Sequence, residues 1–129
     1  MNILDEQIVE NQRQLLKSWR IAVRHIGHDI GKKGMKDYQI IPFLLQLRHI
    51  TFFTLDFDFY KRNLGHSRYC LVCMDVKKQE AAEYTRRLLR HSEFDTVAKR
   101  MGKVIRFSSM GLTVWSPRAE REVFFDWPR

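Results

Sequence analysis

Apolar residues along the chain follow two spacings, one that keeps them on a single side of a helix and one that suits a strand. In 7–19, Ile8, Val9, Leu15, Leu16 and Trp19 recur at helical spacing, behind an Asp5-Glu6 pair whose negative charge suits a helix start. The short apolar run 2–4 ahead of them reads as a strand, and 21–26 reads as a second strand. HDIGKKGMK is then a glycine-bearing basic loop that delivers the chain to a helix over 38–48, with Asp37 as its N-cap. Pro42 falls just past the first turn of that helix. Lacking an N–H and crowding the carbonyl four residues back, it is expected to bend the helix or delay its start.

β-branched and aromatic residues predict a third strand over 51–55, and a short helical segment or turn over 59–64 leads to a fourth over 69–76. A helix over 79–90 with Ala81, Ala82, Tyr84, Leu88 and Leu89, and a second near 94–101, lead to strands over 103–107, 112–115 and 122–127. The last two are joined by a turn at SPRA. Strands alternating with helices predict an α/β fold, a mostly parallel sheet flanked by helices on both faces, closed by a C-terminal β-hairpin. With 129 residues the chain is long enough for one real core, and a single domain over 1–129 is expected.

Charge changes the picture through its placement. The net charge of +8 is uneven: residues 1–60 hold 8 basic and 7 acidic side chains, whereas 61–106 hold 12 and 5. A basic segment beside a more acidic half is what a phosphate-backbone binder shows, and equally what a solvated basic surface shows. No apolar run reaches the roughly 18–20 residues that span a bilayer, and MNILDEQIVE has no signal-like leader. A soluble cytoplasmic protein with no membrane association is expected.

Within this frame one stretch stands out, TFFTLDFDFY, in which Asp56 and Asp58 sit two residues apart among Phe and Tyr. In open parallel sheets sites form beyond the C-terminal ends of the strands, so Asp5 after the first strand and Asp56 after the third would emerge on one rim, with Asp37 at a helix start beside them. Singly, Asp5 and Asp37 also suit helix caps, and Asp56 and Asp58 suit turns. Together, converging carboxylates repel unless a cation neutralises them, and hard oxygen donors suit Mg²⁺ or Mn²⁺.

The ordered set Leu4-Asp5-Glu6, Asp37 followed by Ile40 and Ile41, and Thr54-x-Asp56-x-Asp58-Phe59 resembles the PIN-like ribonuclease domain, in particular the short VapC-related proteins proposed as toxins of bacterial toxin–antitoxin pairs. The similarity covers about residues 1–76. It implies a metal-dependent endoribonuclease whose metal-site acids are Asp5, Asp37 and Asp56, with Asp58 as a helper in catalysis and Thr54, at the family's hydroxyl position on the strand, among the substrate-binding residues. It also implies RNA as substrate, an antitoxin protein as partner, and a homodimer as one assembly state. The family's larger members use a further glutamate from a helical region ahead of the Asp37 position. The interval here is too short to hold that region, leaving Glu6 and Glu10 as substitutes.

A bound divalent cation would acidify water and stabilise charge on the reacting phosphate without a Ser, Cys or His nucleophile. The basic residues expected to hold substrate are Lys32, Lys33 and Lys36 in the loop before Asp37, and Lys61, Arg62 and Arg68 after the Asp56 motif. Two rival classes stay in view: a non-catalytic PIN-like module that binds RNA or protein, and a receiver-like phosphoacceptor. The latter needs a hydroxyl after the fourth strand, where the chain reads Met74-Asp75-Val76.

Three other features fit packing better than chemistry. Cys70 and Cys73 are three apart on a strand and so point to opposite faces, which separates them for metal or disulfide. His25 and His28 lack a third zinc ligand. Trp115, Phe124, Phe125 and Trp127 read as packing residues of the C-terminal strands.

Overall fold

The computed structural model of the protein describes residues 1–128. In chain order the elements are β1 (Asn2–Leu4), α1 (Glu10–Ser18), β2 (Arg24–His25), α2 (Asp37–Leu45), β3 (Ile50–Thr54), β4 (Tyr69–Asp75), α3 (Ala81–Arg90), α4 (Val97–Arg100), β5 (Val104–Ser108), β6 (Gly111–Trp115) and β7 (Val123–Phe125). Two 3-10 turns, Phe57–Phe59 and Arg62–Leu64, lie between β3 and β4. The strands form one sheet in the order β2-β1-β3-β4-β5-β6-β7. The first five are parallel, and β6 and β7 run antiparallel to their neighbours.

The central strands β3 and β4 are buried almost throughout because both of their faces are covered, and they are built mainly of apolar residues and threonine. Successive side chains feed two separate cores. Leu4, Phe53, Val72 and Ile105 pack with Leu16 of α1 and Leu88 of α3, while Ile3, Phe52, Leu71 and Val104 pack with Ile40 and Leu44 of α2. Phe52 and Phe53 are both fully buried, one in each core, and each such burial is worth roughly 1.5–3 kcal/mol. Cys70 and Cys73 divide in the same way, one to each core, as free thiols.

Most expected elements start or end a residue or more elsewhere, and three of these differences bear on the site. The strand expected over 21–26 is reduced to Arg24–His25. It sits at the sheet edge against a three-residue β1, which offers partners only at Ile3 and Leu4. Helix α1 begins at Glu10 rather than near 7, because Ile8 N–H turns back to the Asp5 carbonyl and Gln7 reaches across to β3. The N-cap of α2 is Lys36, with Gln39 Oε1 accepting the Lys36 N–H at 2.8 Å. Asp37 is the first helical residue, and the helix runs through Pro42 without delay.

β1 lies between β2 and β3. The chain leaves β1 toward the face of α1 and leaves β3 toward the face of α2, so a crevice opens between their C-terminal ends, where open α/β sheets place their ligands. No helix among the described residues is long and apolar enough to cross a membrane.

Candidate active site at the ends of β1 and β3

The sheet holds the backbone at this crevice. Asp5 N–H donates to the Phe53 carbonyl at 2.8 Å, so the residue after β1 is tied to β3. Asp5 is buried, and its carboxylate accepts the Thr54 hydroxyl on Oδ2 at 2.6 Å and the Glu6 N–H on Oδ1 at 2.8 Å. Thr54, the last residue of β3, is itself fully buried. Its oxygen also accepts the Asp56 N–H at 3.0 Å, so one hydroxyl fixes both Asp5 and the chain that carries Asp56. Expected on the substrate side, Thr54 instead faces inward and positions carboxylates.

Asp56 caps the 3-10 turn that follows: its Oδ1 accepts the Asp58 N–H at 2.9 Å, drawing Asp58 back over the strand end. Asp37 approaches from the first turn of α2. Asp37, Asp56 and Asp58 each present an oxygen, all within 4.8 Å of one another. Asp58, expected in a helping role, thus stands in the tight group, while Asp5 lies behind it.

The electrostatics record this crowding. Burial, above all, pushes the Asp5 carboxyl above its ordinary value; the Thr54 and Glu6 hydrogen bonds oppose the shift, and the charges of Asp56 and Asp37 add to it. The Asp37 carboxyl is also raised, first by desolvation, then by the Asp56 charge and a hydrogen shared with that carboxylate, then by Asp58, with Lys61 opposing. Oxygen-only donors that repel one another suit a hard divalent cation.

The expected basic residues spread over several places. Lys61 lines the same cavity of about 520 Å³ as Asp37 and Asp58, together with the exposed Tyr38. Lys32 and Lys33 line a neighbouring loop cavity with Gln39, and Lys36 caps α2. Arg62 and Arg68 lie further along the β3–β4 connection.

Neither glutamate substitute reaches the aspartates. Glu6 Oε1 accepts the Gly34 N–H at 2.8 Å and so anchors the basic loop, while Glu10 Oε1 is held by Arg13 and Gln14, each at 2.7 Å. Sequence reasoning missed Gln7, whose Oε1 accepts the Leu55 N–H at 3.2 Å and lies 3.3 Å from the Thr54 hydroxyl, bracing the crevice. Its position directly after the acidic pair was the one signal available. His25 Nε2 lies 2.9 Å from the Ile8 carbonyl oxygen, a packing role.

No family model, curated protein or solved structure matches the chain.

Proposed function

We propose that the protein is a metal-dependent endoribonuclease of the PIN-like class, a cytoplasmic enzyme that hydrolyses RNA phosphodiesters, with a toxin of a toxin–antitoxin pair as its biological setting. The observation that carries this reading is the convergence of Asp37, Asp56 and Asp58 within 4.8 Å beyond the end of β3, with Lys61 in the cavity that Asp37 and Asp58 line. Asp37, Asp56 and Asp58 would hold Mg²⁺ or Mn²⁺, whose charge, when bound, offsets that of the phosphate oxygens and acidifies water. In the overall reaction water adds to phosphorus and the bond to the leaving ribose oxygen breaks.

The chain's own side chains divide the remaining work. Lys61 supplies a cation for the substrate phosphate. Asp5, held by Thr54, adds negative charge behind the group. The connection after Asp56 brings arginines toward the flanking nucleotides.

The test is Mn²⁺ titration calorimetry together with cleavage of a generic single-stranded RNA by wild type, Asp37→Asn and Asp56→Asn. Saturable binding and cleavage in wild type, both lost in the variants, is the expected result; a wild type that neither binds nor cleaves rejects the reading. The engagement of Glu6 and Glu10 elsewhere favours one alternative, a non-catalytic PIN-like module, which would bind RNA without metal-dependent cleavage.

A further inference from the structure

The connection from β3 to β4 contains no α-helix. It carries the two 3-10 turns down the face that α2 covers, and cavities follow it in chain order. The first, of about 520 Å³, takes Asp58, Lys61 and Leu64. The second, of about 220 Å³, takes Arg62, Gly65, His66 and Ser67, facing Trp115 and Arg118. The third, of about 330 Å³, takes Ser67 and Arg68, facing Arg48 and His49. The second and third adjoin at Ser67, next to the start of β4 and so at the end of the sheet away from the carboxylates.

These two cavities are lined by four arginines and two histidines with no carboxylate. Among the described residues none of the four arginines makes an ion pair. Guanidinium groups gathered without counter-ions favour an anion, and arginine forks match phosphate oxygens. One wall adds a second chemistry: the Arg62 guanidinium lies over the Trp115 ring at 5.4 Å, a cation-and-aromatic pair of the type on which unpaired bases stack.

The backbone is also unusual here. Of the three non-glycine residues at positive φ among the described residues, two line these cavities, His49 at 55° and Arg118 at 61°. Gly102, at φ 84°, lets Pro117 close one wall; a Cβ there would lie 2.7 Å from Pro117 Cγ.

We propose that the two cavities adjoining at Ser67 bind the sugar–phosphate backbone of single-stranded RNA, that Trp115 receives a base, and that the 57–68 connection leads the strand to the carboxylates. Single-stranded RNA fits because a duplex keeps its bases stacked internally and cannot offer one to a recessed tryptophan. An acidic peptide would satisfy the arginines alone, whereas an unpaired base also stacks on the ring beside Arg62. The direction of the strand rests on the nuclease reading; binding at the cavities does not.

The full chain is titrated with a labelled single-stranded RNA of about 12 nucleotides in EDTA, over a salt series, so that affinity is read without metal or cleavage. Trp115→Ala is expected to weaken binding roughly 10-fold and Trp115→Phe much less. Arg62→Ala with Arg118→Ala should lower the salt slope by about 0.7 for each lost phosphate contact. Both arginines are exposed, so this pair stays informative if Trp115→Ala fails to fold.

Unchanged affinity and slope in the arginine pair, equal binding of duplex, or capture of polyglutamate in preference to RNA would overturn the proposal. If these variants lose RNA binding while wild type never cleaves with Mn²⁺, the track stands and the nuclease reading falls. If wild type cleaves and the variants bind and cleave as it does, the nuclease reading stands and the track falls.

Discussion

The Thr54 hydroxyl donates to Asp5 Oδ2 at 2.6 Å, joining the last residue of β3 to the first residue beyond β1 in a fully buried contact. The same oxygen accepts the Asp56 N–H, so its geometry sets the spacing between the rear carboxylate and the front group. Thr54→Val keeps the shape but leaves Asp5 short of a donor and the Asp56 N–H short of an acceptor. A loss of about 1–3 kcal/mol is predicted from denaturant unfolding. Because the hydroxyl lowers the Asp5 pKa, the loss is expected to be larger at pH 8 than at pH 5, where the variant's Asp5 is more readily protonated. A loss that stays the same from pH 8 down into acid would show that the Thr54 hydroxyl does not lower the Asp5 pKa.

The raised carboxyls give the metal-free protein a particular pH dependence. Asp5 and Asp37 titrate above their ordinary value of 3.8, so between that value and the raised ones the folded chain binds more protons than the unfolded chain. Stability therefore falls as pH rises through this window, and Tm in chelator is predicted to climb as pH is lowered from neutral. Asp29 acts in the opposite sense and lower down. Its hydrogen bonds to Arg13 hold it at about 2, so its contribution is present above 3.8 and lost as pH falls toward 2. Asp37→Asn should flatten the upper limb and leave the lower one. With Mn²⁺ present, the gain in Tm should be greater at pH 8 than at pH 5, because protons compete for the same oxygens.

What the sequence made legible follows from what is local. The runs that became β3 and β4 are built mainly of β-branched, aromatic and other apolar residues, as strands covered on both faces tend to be, and the acids after β1 and β3 could be placed on one rim from that alone. The length of β2 was not legible, because it depends on how many partners a three-residue β1 can offer. Asp58 was hard to place for a similar reason. A 3-10 turn capped by Asp56 folds it back toward Asp37, whereas an extended chain would carry it away. The Trp115 and Arg62 pairing joins β6 to the β3–β4 connection across 53 positions of chain, and no spacing rule reports such a contact.

The cysteines yield a direct check on the sheet. Cys70 and Cys73 belong to opposite cores, and burial pushes both thiols up to about 12. Neither is then thiolate at neutral pH, and the two cannot meet. Ellman's reagent is predicted to find both unreactive in the native protein and both reactive in guanidinium. One fast native thiol would mean that a face of β4 opens.

The sharpest division of roles falls on Asp56 and Asp58. In Asp56→Asn the amide oxygen can still accept the Asp58 N–H, so the 3-10 turn survives while one charge beside Asp37 disappears. Metal-free Tm is therefore predicted to rise, while the Mn²⁺-induced gain in Tm and RNA cleavage are lost. Asp58→Asn leaves that backbone hydrogen bond intact and removes only a carboxylate. A group that merely orients a ligand costs about 10- to 100-fold in affinity or activity when removed. Asp58 presents its oxygen within 4.8 Å of both Asp37 and Asp56, so its replacement is predicted to weaken Mn²⁺ binding as severely as Asp37→Asn does. Calorimetry with Mn²⁺ on the three single variants decides the matter. If Asp58→Asn binds within 100-fold of wild type while Asp37→Asn and Asp56→Asn do not bind, the metal is held by those two with Asp5 behind them, and Asp58 serves only to orient the site.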